Sequence, residues 1–136
     1  MMKRLLPLFI AVLLVFTGCG EKENDMKNTY EKISMSEGLK RMESDEGYIL
    51  LDVRRADEFA AGHIPGAVNL PNEQIGKAEI PSLPDKNQTI YIYCRSGNRS
   101  KQSADKLLAL GYTSLVEFGG ILDYTGELEY GNKNRS

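Results

Sequence analysis

The sequence predicts an α/β domain: a parallel sheet flanked by helices on both faces. Three observations carry this. Short apolar runs of strand length alternate with segments of helical pattern, the arrangement of a sheet buried on both sides. Gly and Pro punctuate nearly every junction. The clearest strand also runs straight into the clearest helix, which is the start of a right-handed parallel connection.

The elements follow in order. Ser34-Met35-Ser36-Glu37 has the form of a capping box and opens a helix through about Met42. Tyr48–Leu51, ending in Asp52, reads as a buried strand. Ala56–Ala61 forms a helical turn or two, stopped by Gly62, and Ala67–Leu70 a second short strand closed by Pro71. Asn72–Asn87 holds Pro81 and Pro84 and reads as loop with one short helix. Thr89–Tyr93 is β-branched and aromatic, the strongest strand signal. Ser100–Leu110 is the strongest helix, with Ala104, Leu107 and Leu108 on one face and Gly111 as its cap. Leu115–Phe118 is a last strand, followed by a break at Gly119-Gly120.

Composition sets the class. The chain has 136 residues, 41% of them hydrophobic, enough for one cored domain. A net charge of −2 without a basic stripe argues against a nucleic-acid partner. One histidine and no ligand cluster give no case for a metal, and nothing points to a cofactor.

The N-terminus departs from this pattern. Lys3 and Arg4 precede the apolar run Leu5–Phe16, which is shorter than the roughly 20 residues a spanning helix needs. Thr17-Gly18-Cys19 follows, then a strongly polar stretch. This reads as a secretory signal, and its end resembles a bacterial lipoprotein box, with Phe16 where Leu is commoner. Residues 1–18 are expected to be the signal and Cys19 the lipid attachment point. Residues 19–30 then form a polar tether, 31–130 the domain and 131–136 a polar tail. The protein is expected to sit outside the cytoplasm, anchored to a bacterial membrane. An ordinary secretion signal with an incidental Cys19 is the alternative.

If Cys19 is acylated, Cys94 is left as one free thiol in an oxidising compartment. Cys94 ends the clearest strand, and Cys94-Arg95-Ser96-Gly97-Asn98-Arg99-Ser100 joins it to the clearest helix. Ligands of open α/β sheets bind at this end. The helix start offers free N–H groups and a positive dipole end, and Gly97 permits a tight turn. Converging N–H groups with Arg95 and Arg99 favour a thiolate and attract an oxyanion. From Cys94 to Arg99 the loop has six residues. That is one shorter than the loop of a Cys-based phosphatase, and it suits a single transferable sulfur atom. No CxxC pair supports dithiol exchange.

Over roughly Ser34–Leu128 the chain resembles the single-domain form of the rhodanese homology domain. Three segments carry the resemblance: Leu50-Leu51-Asp52-Val53-Arg54 with Glu58-Phe59, Gly62–Ala67 and Asn69-Leu70-Pro71; then Tyr93–Ser100; then Gly111-Tyr112 with Glu117-Phe118-Gly119-Gly120. The family often has Trp-Pro after the double glycine, where this chain has Tyr124-Thr125. The resemblance implies a rhodanese-like five-stranded parallel sheet. It implies a sulfurtransferase in which Cys94 is the nucleophile, taking sulfur from a donor such as thiosulfate and passing it to a thiol or cyanide as a persulfide. It also implies a substrate cradle of Arg95, Ser96, Gly97, Asn98, Arg99 and Ser100, with Arg99 as the chief oxyanion contact. A non-catalytic sulfur carrier and a phosphatase or arsenate-reductase-like enzyme are the rival readings.

The remaining polar residues are read structurally. His63 lies in a Gly-His-Ile-Pro-Gly turn, and a thiolate needs no base. Asp52 is expected to hydrogen-bond or ion-pair, Arg54 and Arg55 to be paired or solvated, and Tyr91 and Tyr93 to pack. Arg99 as a carboxylate's partner is the alternative to its substrate role. Replacing Cys19 by alanine is expected to move the protein from the membrane to the soluble fraction. Fatty-acid labelling of the unmutated protein checks the premise, and an unlabelled protein rules out the anchor.

Overall fold

The computed structural model describes residues 29–132. The signal segment, Cys19 and most of the tether lie outside the described residues, as do residues 133–136.

Five strands form one parallel sheet: β1 (Glu31–Lys32), β2 (Ile49–Asp52), β3 (Val68–Asn69), β4 (Ile90–Cys94) and β5 (Leu115–Gly120). Their order is β1-β5-β4-β2-β3, so β4 is central, and every pairing is parallel. The helices are α1 (Met35–Ser44), α2 (Ala56–Ala60) and α3 (Asn98–Ala109), with 3-10 turns at Asn72–Gln74 and Ile121–Asp123.

The side-chain alternation of β4 divides the core. Ile90, Ile92 and Cys94 pack on one face with Ala104 and Leu107 of α3 and with Ile75, Ile80 and Leu83 from the long connection. Tyr91 and Tyr93 pack on the other with Met35 of α1, Phe59 of α2 and Phe118 of β5. Since all five β4 residues are buried, the strand reads as a continuous apolar run, as a central parallel strand should. Sheet and helices on both faces therefore match the expected class.

The boundaries differ in instructive places. The Ser34 hydroxyl accepts from the Glu37 N–H at 3.1 Å, but Glu37's carboxylate pairs with Arg41 rather than closing the box, and α1 runs on to Ser44. Strand β1 has only two exposed residues and no apolar pattern; its pairing with β5 holds it in the sheet. Helix α3 starts at Asn98, not Ser100, because Gly97 at φ 106° acts as its N-cap. Strand β5 continues through Gly119 and Gly120 where a break was expected. Ile92 faces Glu117 and Cys94 faces Gly120, so β5 carries one extra residue there, a bulge with Gly119 at φ 93°.

The first motif is a structural lock. Asp52 is fully buried, and Arg54 is 6% exposed. The guanidinium grips both carboxylate oxygens, with Nη2–Oδ2 at 2.7 Å, and donates to the Gly62 carbonyl at 2.7 Å. This ties the end of β2 to the turn after α2. His63 stacks on Phe59 at 3.6 Å between ring centroids, and its Nδ1 lies 2.8 Å from the Phe59 carbonyl. The Ile64 N–H donates to the Tyr93 hydroxyl at 3.1 Å, and burial pushes that phenol well up from its ordinary range. The structural readings of Asp52, Arg54, His63 and Tyr93 thus agree with their surroundings. Tyr124 packs half-buried against the same core and donates to the Glu127 carbonyl at 2.7 Å.

Arg54→Met leaves the Asp52 carboxylate buried without its cation, a loss of about 3–5 kcal/mol. Urea denaturation is expected to show this as a lowered midpoint. A midpoint unchanged from wild type would mean that the pair adds nothing.

Candidate active site

The site sits where β4 passes into α3. Strand β4 delivers Cys94 to the carboxyl edge of the sheet between β2 and β5. The chain then turns within three residues and enters α3, whose first turn presents unpaired N–H groups to the loop. The turn curls back on its own cysteine: the Gly97 N–H donates to Cys94 Sγ at 3.0 Å. The positive φ of Gly97 makes this possible, since a side chain there would be strained. Cys94 is 1% exposed and is the free cysteine of the described residues.

The expected cradle residues separate into three groups. Arg95, Ser96 and Asn98 are exposed around the loop, and Gly97 is buried within it. Ser100 points inward: it is fully buried, 3.4 Å from Cys94 Sγ, and donates to Glu117 Oε1 at 2.7 Å. Its hydroxyl lies between the cysteine and the Glu117 carboxylate. Arg99 is engaged by Glu58 of α2 in a two-pronged ion pair at 2.6 and 3.0 Å. The Arg99 hydrogen bonds hold the Glu58 carboxyl below the usual carboxylate range, against the opposing effect of burial. The structure therefore shows Arg99 as a carboxylate's partner. Arg95 forms no ion pair or hydrogen bond through its side chain among the described residues, and it is the cation left to meet an anion.

Strand β5 forms the floor. A Cβ on Gly120 would lie 2.1 Å from the Arg95 carbonyl oxygen, so only glycine lets the loop descend this far. The same carbonyl accepts from the Leu122 N–H at 3.2 Å. The bulge also turns the Gly119 N–H onto Glu117 Oε1 at 2.9 Å.

Sequence reasoning did not single out Glu117 or the Glu58–Arg99 pair. A signal for Glu117 was present: a glutamate two residues from Leu115 in a buried strand faces the core, where a carboxylate needs a reason. The pair carried no such signal, because Glu58 and Arg99 are 41 residues apart. Among the described residues no group of three His, Cys, Asp or Glu side chains is placed to hold a metal ion.

Fold and site together define an α/β protein with a cysteine at the carboxyl edge of its sheet, whose sulfur accepts the Gly97 N–H of the loop that follows it. Residues 35–127 match the rhodanese-like domain, and the chain belongs to that family. It is 34% identical over 73 residues to the thiosulfate sulfurtransferase PspE of Escherichia coli, covering 54% of this chain and 70% of that protein. It is 32% identical over 111 residues to YrkF of Bacillus subtilis, a candidate sulfur carrier protein, covering 81% of this chain but only 59% of YrkF. Among solved structures, a rhodanese with anions from E. coli superposes with a TM-score of 0.56 at 31% identity, covering 62% of this chain and 99% of that one.

Proposed function

We propose that this protein is a sulfurtransferase that carries sulfane sulfur as a persulfide on Cys94. The observation that carries this is the Gly97 N–H aimed at Cys94 Sγ from 3.0 Å, in a loop that opens a helix. Such a loop stabilises an anionic sulfur whether it is the thiolate or the outer atom of a persulfide. The buried setting of Cys94 favours a small electrophile, and a terminal sulfane sulfur is small.

The chemistry balances without an oxidant. The Cys94 thiolate attacks the outer sulfur of thiosulfate, a Cys94 S–S bond forms, and the thiosulfate S–S bond breaks with its electron pair leaving on sulfite. A thiol, as thiolate, or cyanide then attacks the terminal sulfur, and Cys94 departs as the thiolate. One difficult transfer becomes two easier ones. Arg95 meets the oxygens of the donor, and Ser96 and Asn98 line the approach. No cofactor is involved.

We further propose action outside the cytoplasm, with the membrane as a partner through a lipid on Cys19. The support is the pattern of residues 1–19. Nothing in the charge pattern invites nucleic acid. A second reading, a sulfur carrier serving a partner thiol, is favoured by the similarity to YrkF over 81% of the chain. Multiple turnovers with thiosulfate and cyanide distinguish an enzyme from a carrier that loads once.

Cys94→Ser is expected to abolish transfer with an unchanged circular dichroism spectrum, and to lose the one-sulfur mass increment that cyanide removes. A folded serine variant that still transfers sulfur would sink the persulfide route. The two arginines separate in the same assay. A charge-assisted contact is worth about 1.5–3 kcal/mol, so Arg95→Ala is expected to raise the KM for thiosulfate roughly tenfold to a hundredfold. Arg99→Ala is expected to change it by less than about threefold while lowering stability slightly, as the loss of a partly exposed pair does. The reverse order would return the donor contact to Arg99.

A further inference from the structure

Glu117 is the one group of the site that neither the fold nor the proposed transfer explains. It is 1% exposed. Its Oε1 accepts from the Ser100 hydroxyl at 2.7 Å and the Gly119 N–H at 2.9 Å. Its Oε2 is buried with no hydrogen-bond partner, and among the described residues no Lys, Arg or His pairs with it. A carboxylate in this state is costly, because half its lone pairs are unsatisfied and no cation offsets its charge. It also lies one hydroxyl away from a sulfur that must become anionic, and two like charges at such close quarters oppose each other.

We infer that Glu117 and Ser100 form a proton relay that ionises Cys94, so that the thiol's proton stays inside the protein on Glu117. This rests on Cys94 being the nucleophile. The step moves one proton and no net charge. The Cys94 S–H bond breaks and its proton passes to Ser100 Oγ; the proton Ser100 already held passes to Glu117 Oε1. A thiol and a carboxylate become a thiolate and a neutral carboxyl.

Both states satisfy their hydrogens. Before transfer the thiol donates to Ser100 at 3.4 Å, and Ser100 donates to Glu117 at 2.7 Å. Afterwards Glu117 donates to Ser100, Ser100 donates to Cys94 Sγ, and the Gly97 N–H remains on the sulfur. The orphaned Oε2 then belongs to a neutral group, which removes the main penalty of its burial. Glu117 does not touch the sulfur; it acts on it through Ser100, as a positioning residue that holds the displaced proton.

The charged and titratable groups nearby come from every element around it. Lys32 of β1 is its register partner. Tyr30, just before β1, has its phenol raised by burial first and also feels Asp105, Glu117 and Lys101. Arg99 of α3 feels Cys94, after its stronger link to Glu58, and Arg95 follows Cys94 in the loop.

The test is iodoacetamide alkylation of Cys94 in the full-length protein, followed by mass spectrometry between about pH 5 and pH 9, a range that spans the ordinary thiol region. Glu117→Gln is expected to react about tenfold more slowly than wild type at the acid end, one pH unit of lost ionisation, and to converge on it at the alkaline end. Ser100→Ala breaks the relay at its other link and is expected to give the same profile. The double variant should lose no more than either single one, because a relay fails once. Slowing by one factor at every pH would mean a merely structural carboxylate. Faster alkylation at the acid end would mean a simple repelling charge. Either overturns the inference, and Ser100→Ala carries the test if Glu117→Gln does not fold. Alkylation requires no sulfur transfer, so this result reads independently of whether thiosulfate is turned over.

Discussion

The site depends on one contact that only a glycine allows. The Cys94 loop comes down onto the end of β5 until the Arg95 carbonyl occupies the space where any other residue at position 120 would place its Cβ. Because the loop sits this low, its Gly97 N–H can reach back to Sγ. The bulge at Gly119 lets β5 reach this position and at the same time turns the Glu117 carboxylate beneath the cysteine. The glycine pair Gly119-Gly120 is therefore part of the Cys94 loop's seat, although it lies on a different strand.

Electrostatics is arranged in layers around that seat. The deepest pair, Asp52–Arg54, is almost wholly buried and serves the fold by fixing the Gly62 turn against β2. The middle pair, Arg99–Glu58, joins the first turn of α3 to α2 and is about a quarter exposed. At the rim Arg95 has no anionic partner among the described residues. Positive charge thus remains where an incoming anion would arrive, while the charges nearer the sulfur are neutralised. Glu117 is the exception, a buried acid without a cation, and for that reason its position beside Ser100 carries chemical meaning.

The sheet explains why one short chain can hold such a loop still. Strand β4 has neighbours on both sides, and its alternating side chains fill two separate apolar clusters. Moving the strand would disturb both. Helix α3 is fixed in turn by Ala104 and Leu107 in the core and by Ser103, which donates to the Asn72 side chain at 2.8 Å. Loop and sulfur are held between two elements whose positions are set by packing, which is what a preorganised anion site requires.

The sequence alone determined the class, the strand-to-helix junction and the cysteine that stands at it, because each has a local cause. Apolar runs of strand length, a helical stripe at Ala104 and Leu107, and a cysteine followed by Gly97 at the junction all act within a few residues. It also marked where chain direction changes, although it read the Gly119-Gly120 bulge as a break and missed β1, whose two exposed residues carry no pattern. What only the tertiary structure decided are the partners. Arg99 read as the chief oxyanion contact, with a carboxylate's partner as the alternative, until α2 brought Glu58 to it from 41 residues away. Ser100 read as a cradle residue until α3 began two residues early and turned it inward. Glu117 became a candidate for proton transfer only when the bulge in β5 and the descent of the loop put it against Ser100. Hydrogen bonds and ion pairs act over about 3 Å, and a linear chain does not record which distant residues will come within that range.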